Sequence, residues 1–185
     1  MMSKARLESF SDGVMSIVIT LLAFDLIVPL KNVASGAVAL RALMSMAPQF
    51  LLFFISFITL ATMWINHHFI MSKIEEVTPK FIWINSILLM FITLVPFAAS
   101  FVSKNPFNHI ALMFYAMLMF LISWMFSKLY SFANHDFKTL FPQTRKLKHI
   151  GMFSYALAFF AAIFSQPLGY LFICIPLILY ILPRQ

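Results

Sequence analysis

The sequence predicts an all-α integral membrane protein with six transmembrane helices, and three observations carry that expectation. Of 185 residues, 62% are hydrophobic, and the mean hydropathy is +0.93. Charged residues make up only 10% of the chain, against about 25% in soluble domains. The apolar residues also gather into runs near the roughly 20 residues that a membrane-crossing helix needs. A soluble fold of this size has too little interior to hide so much apolar surface, so the solvent is read as mostly lipid.

The runs cover residues 13–30, 43–71, 80–102, 107–130, 149–165 and 168–182. The first follows Arg6, Glu8 and Asp12 and closes at Pro29. It starts too close behind those charges, and without a small-residue cleavage site after it, for a cleavable signal to be expected. Pro48 falls near the start of the second run, Pro106 opens the fourth and Pro167 opens the sixth. Pro96 and Pro176 lie inside runs and predict kinks, which membrane helices tolerate. The last two runs are short, with Gln166-Pro-Leu-Gly169 between them reading as a tight turn, so a thin helical hairpin is expected. Residues 1–185 are expected to form one six-helix unit, with no internal repeat and no soluble domain read in the sequence.

The 23 Phe and 13 Met residues suit helix packing and lipid contact, and no cofactor is assigned to them. Cys174, the single cysteine, lies in an apolar run without Cys or His neighbours and reads as a small core residue.

The net charge of +7 is explained by topology rather than by nucleic acid. With the N-terminus cytoplasmic, Lys4, Arg6, Lys73, Lys80, Lys128, Lys138, Arg145, Lys146, Lys148 and Arg184 fall inside, and only Lys31, Arg41 and Lys104 fall outside. That asymmetry places both termini in the cytoplasm, and Arg145-Lys-Leu-Lys148 beside anionic headgroups. A multi-pass protein of the cell membrane, in contact with lipid, is expected.

On a helical wheel the first run carries Ser9, Asp12, Ser16 and Thr20 within roughly 80°, with Gly13, Ile17 and Phe24 beside them and Leu21 on the border. Two readings stay open. Small and hydroxyl residues form close-packing faces between helices. Alternatively the stripe faces water, because a carboxylate such as Asp12 is costly near lipid unless paired or wet.

Arg6-x-x-x-Phe10-Ser11-Asp12 resembles the R-x-x-x-F-S-D motif that opens the first helix of the lysosomal transmembrane protein 175 potassium-channel family. Trp64-Ile-Asn-His-His68 is similar to the aromatic and paired-histidine stretch of its bacterial members, and the single six-span length suits that branch. The resemblance implies a homotetrameric cation channel, with four first helices around the axis. Its apolar rings would fall on Ile17, Leu21 and Phe24, and Thr20 matches a position tied to selectivity in some members. Phe24 replaces the usual aliphatic residue. Potassium is the implied permeant ion; no cofactor is implied.

The four glycines belong to no TVGYG-like run, so a carbonyl filter is not expected. A narrow apolar ring makes an ion shed water, which costs potassium less than sodium, and modest potassium selectivity follows. Arg6 and Asp12 stand about 240° apart on the wheel and each needs a partner elsewhere. A polar cluster of Arg6, Ser11, Asp12 and one or both of His67 and His68 is expected, with Phe10 in the motif and Trp64 and Asn66 adding donors. Adjacent histidines point about 100° apart, so no metal site is expected. Asp25 either joins an outer cation-attracting ring or bonds a neighbouring helix. Asn85 and Ser86 bond between helices. No serine has a base at catalytic spacing, so an enzyme is not expected; a proton-coupled secondary transporter is the rival reading.

Overall fold

The computed structural model describes residues 3–26, 36–132 and 142–181. Pro29, Lys31, Lys138, Leu182 and Arg184, which entered the span and topology expectations, lie outside them.

Helix α1 spans Lys4–Leu21 and continues as a 3-10 turn over Leu22–Leu26. It starts nine residues ahead of the expected span because Ser3 caps it, its side chain accepting from the Arg6 amide. Hydropathy locates the apolar run, whereas the helix also includes the polar segment before it. Leu7, Ser11, Met15, Val18 and Leu22 are buried, at steps of three and four that define one packed face.

A short helix, α2 (Gly36–Ser45), buries no residue and touches only α3 among the described elements. Helix α3 (Ala47–Ser72) carries Pro48 in its first turn, where a missing N–H costs nothing. The expected second span therefore divides at Met46, its first residues belonging to α2.

Pro96 acts as expected. It splits the third span into α4 (Pro79–Thr93), capped by Thr78, and α5 (Val95–Lys104). A proline has no N–H to give the carbonyl four residues back, and regular bonding resumes with Ala98 N–H donating to the Leu94 carbonyl.

Helix α6 (His109–Tyr130) begins two residues later than expected. Asn108 caps it by accepting from the Ile110 and Ala111 amides, and Pro106 sits in the preceding turn. Helices α7 (Pro142–Phe164) and α8 (Gln166–Ile181) form a hairpin joined at Ser165, so Gln166-Pro-Leu-Gly169 is the first turn of α8 rather than a loop. Gly169 lets the helices close up: a Cβ there would lie 2.8 Å from Leu112 Cδ2 and 3.3 Å from Ala162 Cβ.

Among the described residues, four helical stretches are long and apolar enough to span a bilayer: Lys4–Leu26, Ala47–Ser72, Pro79–Lys104 and His109–Tyr130. The apolar stretch of α7, His149–Phe164, and helix α8, Gln166–Ile181, are shorter. At about 1.5 Å per residue they fall short of a roughly 30 Å hydrocarbon core. The chain is a multi-pass membrane protein. Helix α6 is the hub, with 50% of its apolar window buried, and it packs on α3, α4, α5, α7 and α8. Helix α1 is the outermost of the four, at 28%, and leans on α3, α4 and α5.

Candidate pore-lining helix

The unburied side of α1 is the side on which the polar stripe was read. Ile17, Leu21 and Phe24 are 61%, 42% and 67% exposed, and Ser9, Gly13, Ser16 and Thr20 are exposed with them. The Ser16 hydroxyl donates to the Asp12 carbonyl at 2.6 Å, and Thr20 Oγ1 to the Ile17 carbonyl at 2.8 Å. Each hydroxyl uses its proton within its own helix and keeps oxygen lone pairs directed outward.

Beyond Leu21 the 3-10 turn changes the register. With about three residues per turn, positions three apart eclipse. Phe24 therefore follows Leu21 along the open side, while Asp25 follows the buried Leu22 into the bundle. Asp25 bonds α5, as one of its two readings has it. Ser100 Oγ donates to its Oδ1 at 2.7 Å, Ser103 Oγ to its Oδ2 at 2.8 Å, and Lys104 Nζ lies 2.9 Å from Oδ1.

The polar residues expected to form one cluster divide into two networks. The first is a ladder between antiparallel α1 and α3. Lys4 Nζ donates to the Ser72 and Ile74 carbonyls at 3.3 and 3.0 Å, at the C-terminus of α3 where carbonyls lack partners. Glu8 Oε1 lies 3.3 Å from His68 Nδ1. Trp64 Nε1 donates to Asp12 Oδ1 at 2.9 Å. The rungs rise four residues at a time on α1 and fall four at a time from Ser72 on α3, the spacing that keeps side chains on one helix face.

The second network is buried. Ser11 Oγ donates to the Leu7 carbonyl at 2.8 Å and accepts from Asn85 Nδ2 at 2.9 Å. Asn85 Oδ1 faces His67 Nε2 at 2.8 Å, which assigns the ring proton to Nε2. His67 is fully buried, its Nδ1 has no hydrogen-bond partner among the described residues, and the ring meets Phe126 edge-on. The two histidines thus point into different networks, as a 100° step between neighbours dictates.

Arg6 and Phe10 lie on the exposed side, and Arg6 makes no side-chain bond to the described residues, because its position on the wheel faces away from both α3 and α4. Asn66 is half-buried on α3. Ser86 donates to the Ile82 carbonyl of its own helix rather than to a neighbour. Lys4 and Glu8 were not expected to take part; their four-residue spacing with Asp12 is the signal that points to them. Among the described residues no group of three or more His, Cys, Asp or Glu side chains could hold a metal ion.

A family model described as the endosomal/lysosomal potassium channel TMEM175 matches residues 6–96. Over 131 residues the chain is 34% identical to a potassium channel of Chamaesiphon minutus, a match covering 69% of this chain and 64% of that protein. It is 36% identical over 104 residues to the human endosomal/lysosomal proton channel TMEM175, covering 52% of this chain and 20% of that protein. The chain thus spans less than two thirds of the length of these relatives. The crystal structure of a lysosomal potassium-selective channel TMEM175 homolog from Chamaesiphon minutus superposes with a TM-score of 0.85 at 29% identity, over 96% of this chain and 95% of that one.

Proposed function

Because this chain belongs to the TMEM175 channel family, we propose that it forms a potassium-permeable cation channel with α1 of each subunit lining the pore. Four copies surround a central axis, with both termini cytoplasmic, in the cell membrane. Ile17, Leu21 and Phe24 from each copy make successive apolar rings. Such rings resist wetting and force a passing ion to shed water. Potassium gives up its hydration more readily than sodium, and the Thr20 oxygens replace part of what is lost. Modest selectivity for potassium follows.

One observation supports this reading above the others: the exposed side of α1 mixes Ile17, Leu21 and Phe24 with Ser9, Gly13, Ser16 and Thr20. A purely lipid-facing side has no use for four small or hydroxyl residues at those positions. The His67–Asn85–Ser11 and α1–α3 networks act as supports for that helix. No step of the reading is catalytic.

The test reconstitutes purified protein in liposomes after the mass of the detergent-solubilised oligomer has been measured. Passive potassium flux that follows the gradient, together with a tetramer mass, is expected. Equal potassium and sodium permeability in reversal potentials overturns the selectivity. Saturable uptake driven by a proton gradient replaces the channel with a proton-coupled secondary transporter.

The name of the human relative favours a second reading, proton conduction through the same path. A pH-sensitive dye sealed in the liposomes separates the two: acidification that persists without potassium identifies protons as the permeant ion.

A further inference from the structure

Helix α1 is anchored near both ends, and its outer anchor acts directly beside Phe24. In the 3-10 turn Phe24 and Asp25 are adjacent, so their side chains diverge by about 120°. Both carboxylate oxygens of Asp25 are bonded, to Ser100, Ser103 and Lys104 at i, i+3 and i+4 on one face of α5. Ser103 is 2% exposed, and its single proton goes to Asp25 Oδ2 at 2.8 Å, with the Ser100 carbonyl at 3.1 Å as the longer, competing acceptor. Helix α5 is itself fixed, because Val95, Ala98, Ala99 and Val102 are buried where it packs on α3 and α6. A turn of the 3-10 segment about its own axis would break every contact that Asp25 makes. Lys104 Nζ also donates to Ser100 Oγ at 2.9 Å, so the lysine braces the same carboxylate that the two serine hydroxyls hold.

We propose that the Asp25–Ser100–Ser103 clamp is a positioning device for Phe24. It fixes the rotation of the outer turn and thereby sets how far the outermost aromatic ring reaches into the ion path. The proposal rests on α1 lining the pore and adds a determinant outside the rings themselves. Asp25 never touches the ion in this scheme; it acts through its neighbour.

The experiment measures potassium flux and the potassium-to-sodium permeability ratio for Asp25→Asn, Ser103→Ala and Phe24→Ala, and for each clamp variant combined with Phe24→Ala. Loosening the clamp is expected to raise flux at least about threefold and to lower the ratio, while in the Phe24→Ala background the same substitutions change neither, as coupled positions require. Clamp effects that persist undiminished without the Phe24 ring overturn the proposal, as do clamp variants that behave like wild type while Phe24→Ala does not. Absence of flux from wild type instead removes the channel reading, and this proposal with it. A second readout does not depend on conduction. In a Cys174→Ala background, Phe24→Cys is modified by a charged water-soluble thiol reagent with and without Asp25→Asn. A changed rate is expected; an unchanged rate means that Asp25 does not orient position 24.

Discussion

Asp12 and Trp64 form the last rung of the α1–α3 ladder, the indole Nε1 donating to Asp12 Oδ1 at 2.9 Å. The bond ties the start of the apolar part of α1 to the helix behind it. Trp64→Phe keeps most of the ring but removes the donor. A hydrogen bond to a charged group is worth about 1.5–3 kcal/mol, and Trp64 is partly exposed, so a loss near the lower end, about 1–2 kcal/mol, is expected. Thermal unfolding in detergent measures it. A loss indistinguishable from zero would mean that the contact does not hold the helices.

Asn85 is the more sensitive position. It bridges Ser11 on α1 to His67 on α3 from α4, and all three residues are buried. Asn85→Leu strands the His67 Nε2 proton and removes the donor to Ser11. Leaving buried polar groups unsatisfied costs about 1–3 kcal/mol each, so a larger loss than for Trp64→Phe is expected in the same unfolding assay.

The all-helical membrane character and the family resemblance were legible because both depend on local composition and residue order. The proline break at Pro96 was legible for the same reason: a missing N–H acts wherever the residue sits. The polar partners were harder to read. That Ser11 and Asp12 serve different networks depends on α4 bringing Asn85 to one side of α1 and α3 bringing Trp64 to the other. A single-helix wheel contains no neighbours. The beginning of α1 was misplaced because membrane hydropathy scores apolar content, whereas Lys4 and Glu8 hold that segment through bonds to α3. The bonds of Asp25 to α5 depend on the 3-10 turn that aligns it with Leu22. Nothing in the composition of Leu-Ala-Phe-Asp-Leu signals that change of period.

Neighbouring leucines on α1 separate the lining role from the packing role. Leu22 is 3% exposed and belongs to the buried face, whereas Leu21 is on the open side. Leu22→Ala leaves a cavity and should lower stability by about 2–5 kcal/mol, with the permeability ratio unchanged in protein that remains folded. Leu21→Ala should do the reverse, with little change in unfolding temperature, higher potassium flux and weaker discrimination against sodium. Liposome flux paired with unfolding curves checks both. Matching stability losses, or a permeability change from Leu22→Ala alone, would place the lining on the wrong face.

Gly169 tests whether the α7–α8 hairpin depends on close approach. A Cβ at this position would meet Leu112 Cδ2 at 2.8 Å, Ala162 Cβ at 3.3 Å and the Ala158 carbonyl oxygen at 3.4 Å. The Leu112 methyl is the end of a flexible side chain and can swing aside, so Gly169→Ala should be mild. The Ala162 and Ala158 atoms belong to α7 itself and cannot retreat without moving that helix. Gly169→Val therefore forces the hairpin open, and overpacking of this kind costs about 1–3 kcal/mol. The expected readout is a lower unfolding temperature, with cleavage by added protease appearing first in the α7–α8 region. Among the described residues, helix α1 meets neither α7 nor α8. The permeability ratio of the surviving protein should therefore stay at its wild-type value, and a shift in that ratio would show that the hairpin reaches the pore by a route other than direct packing.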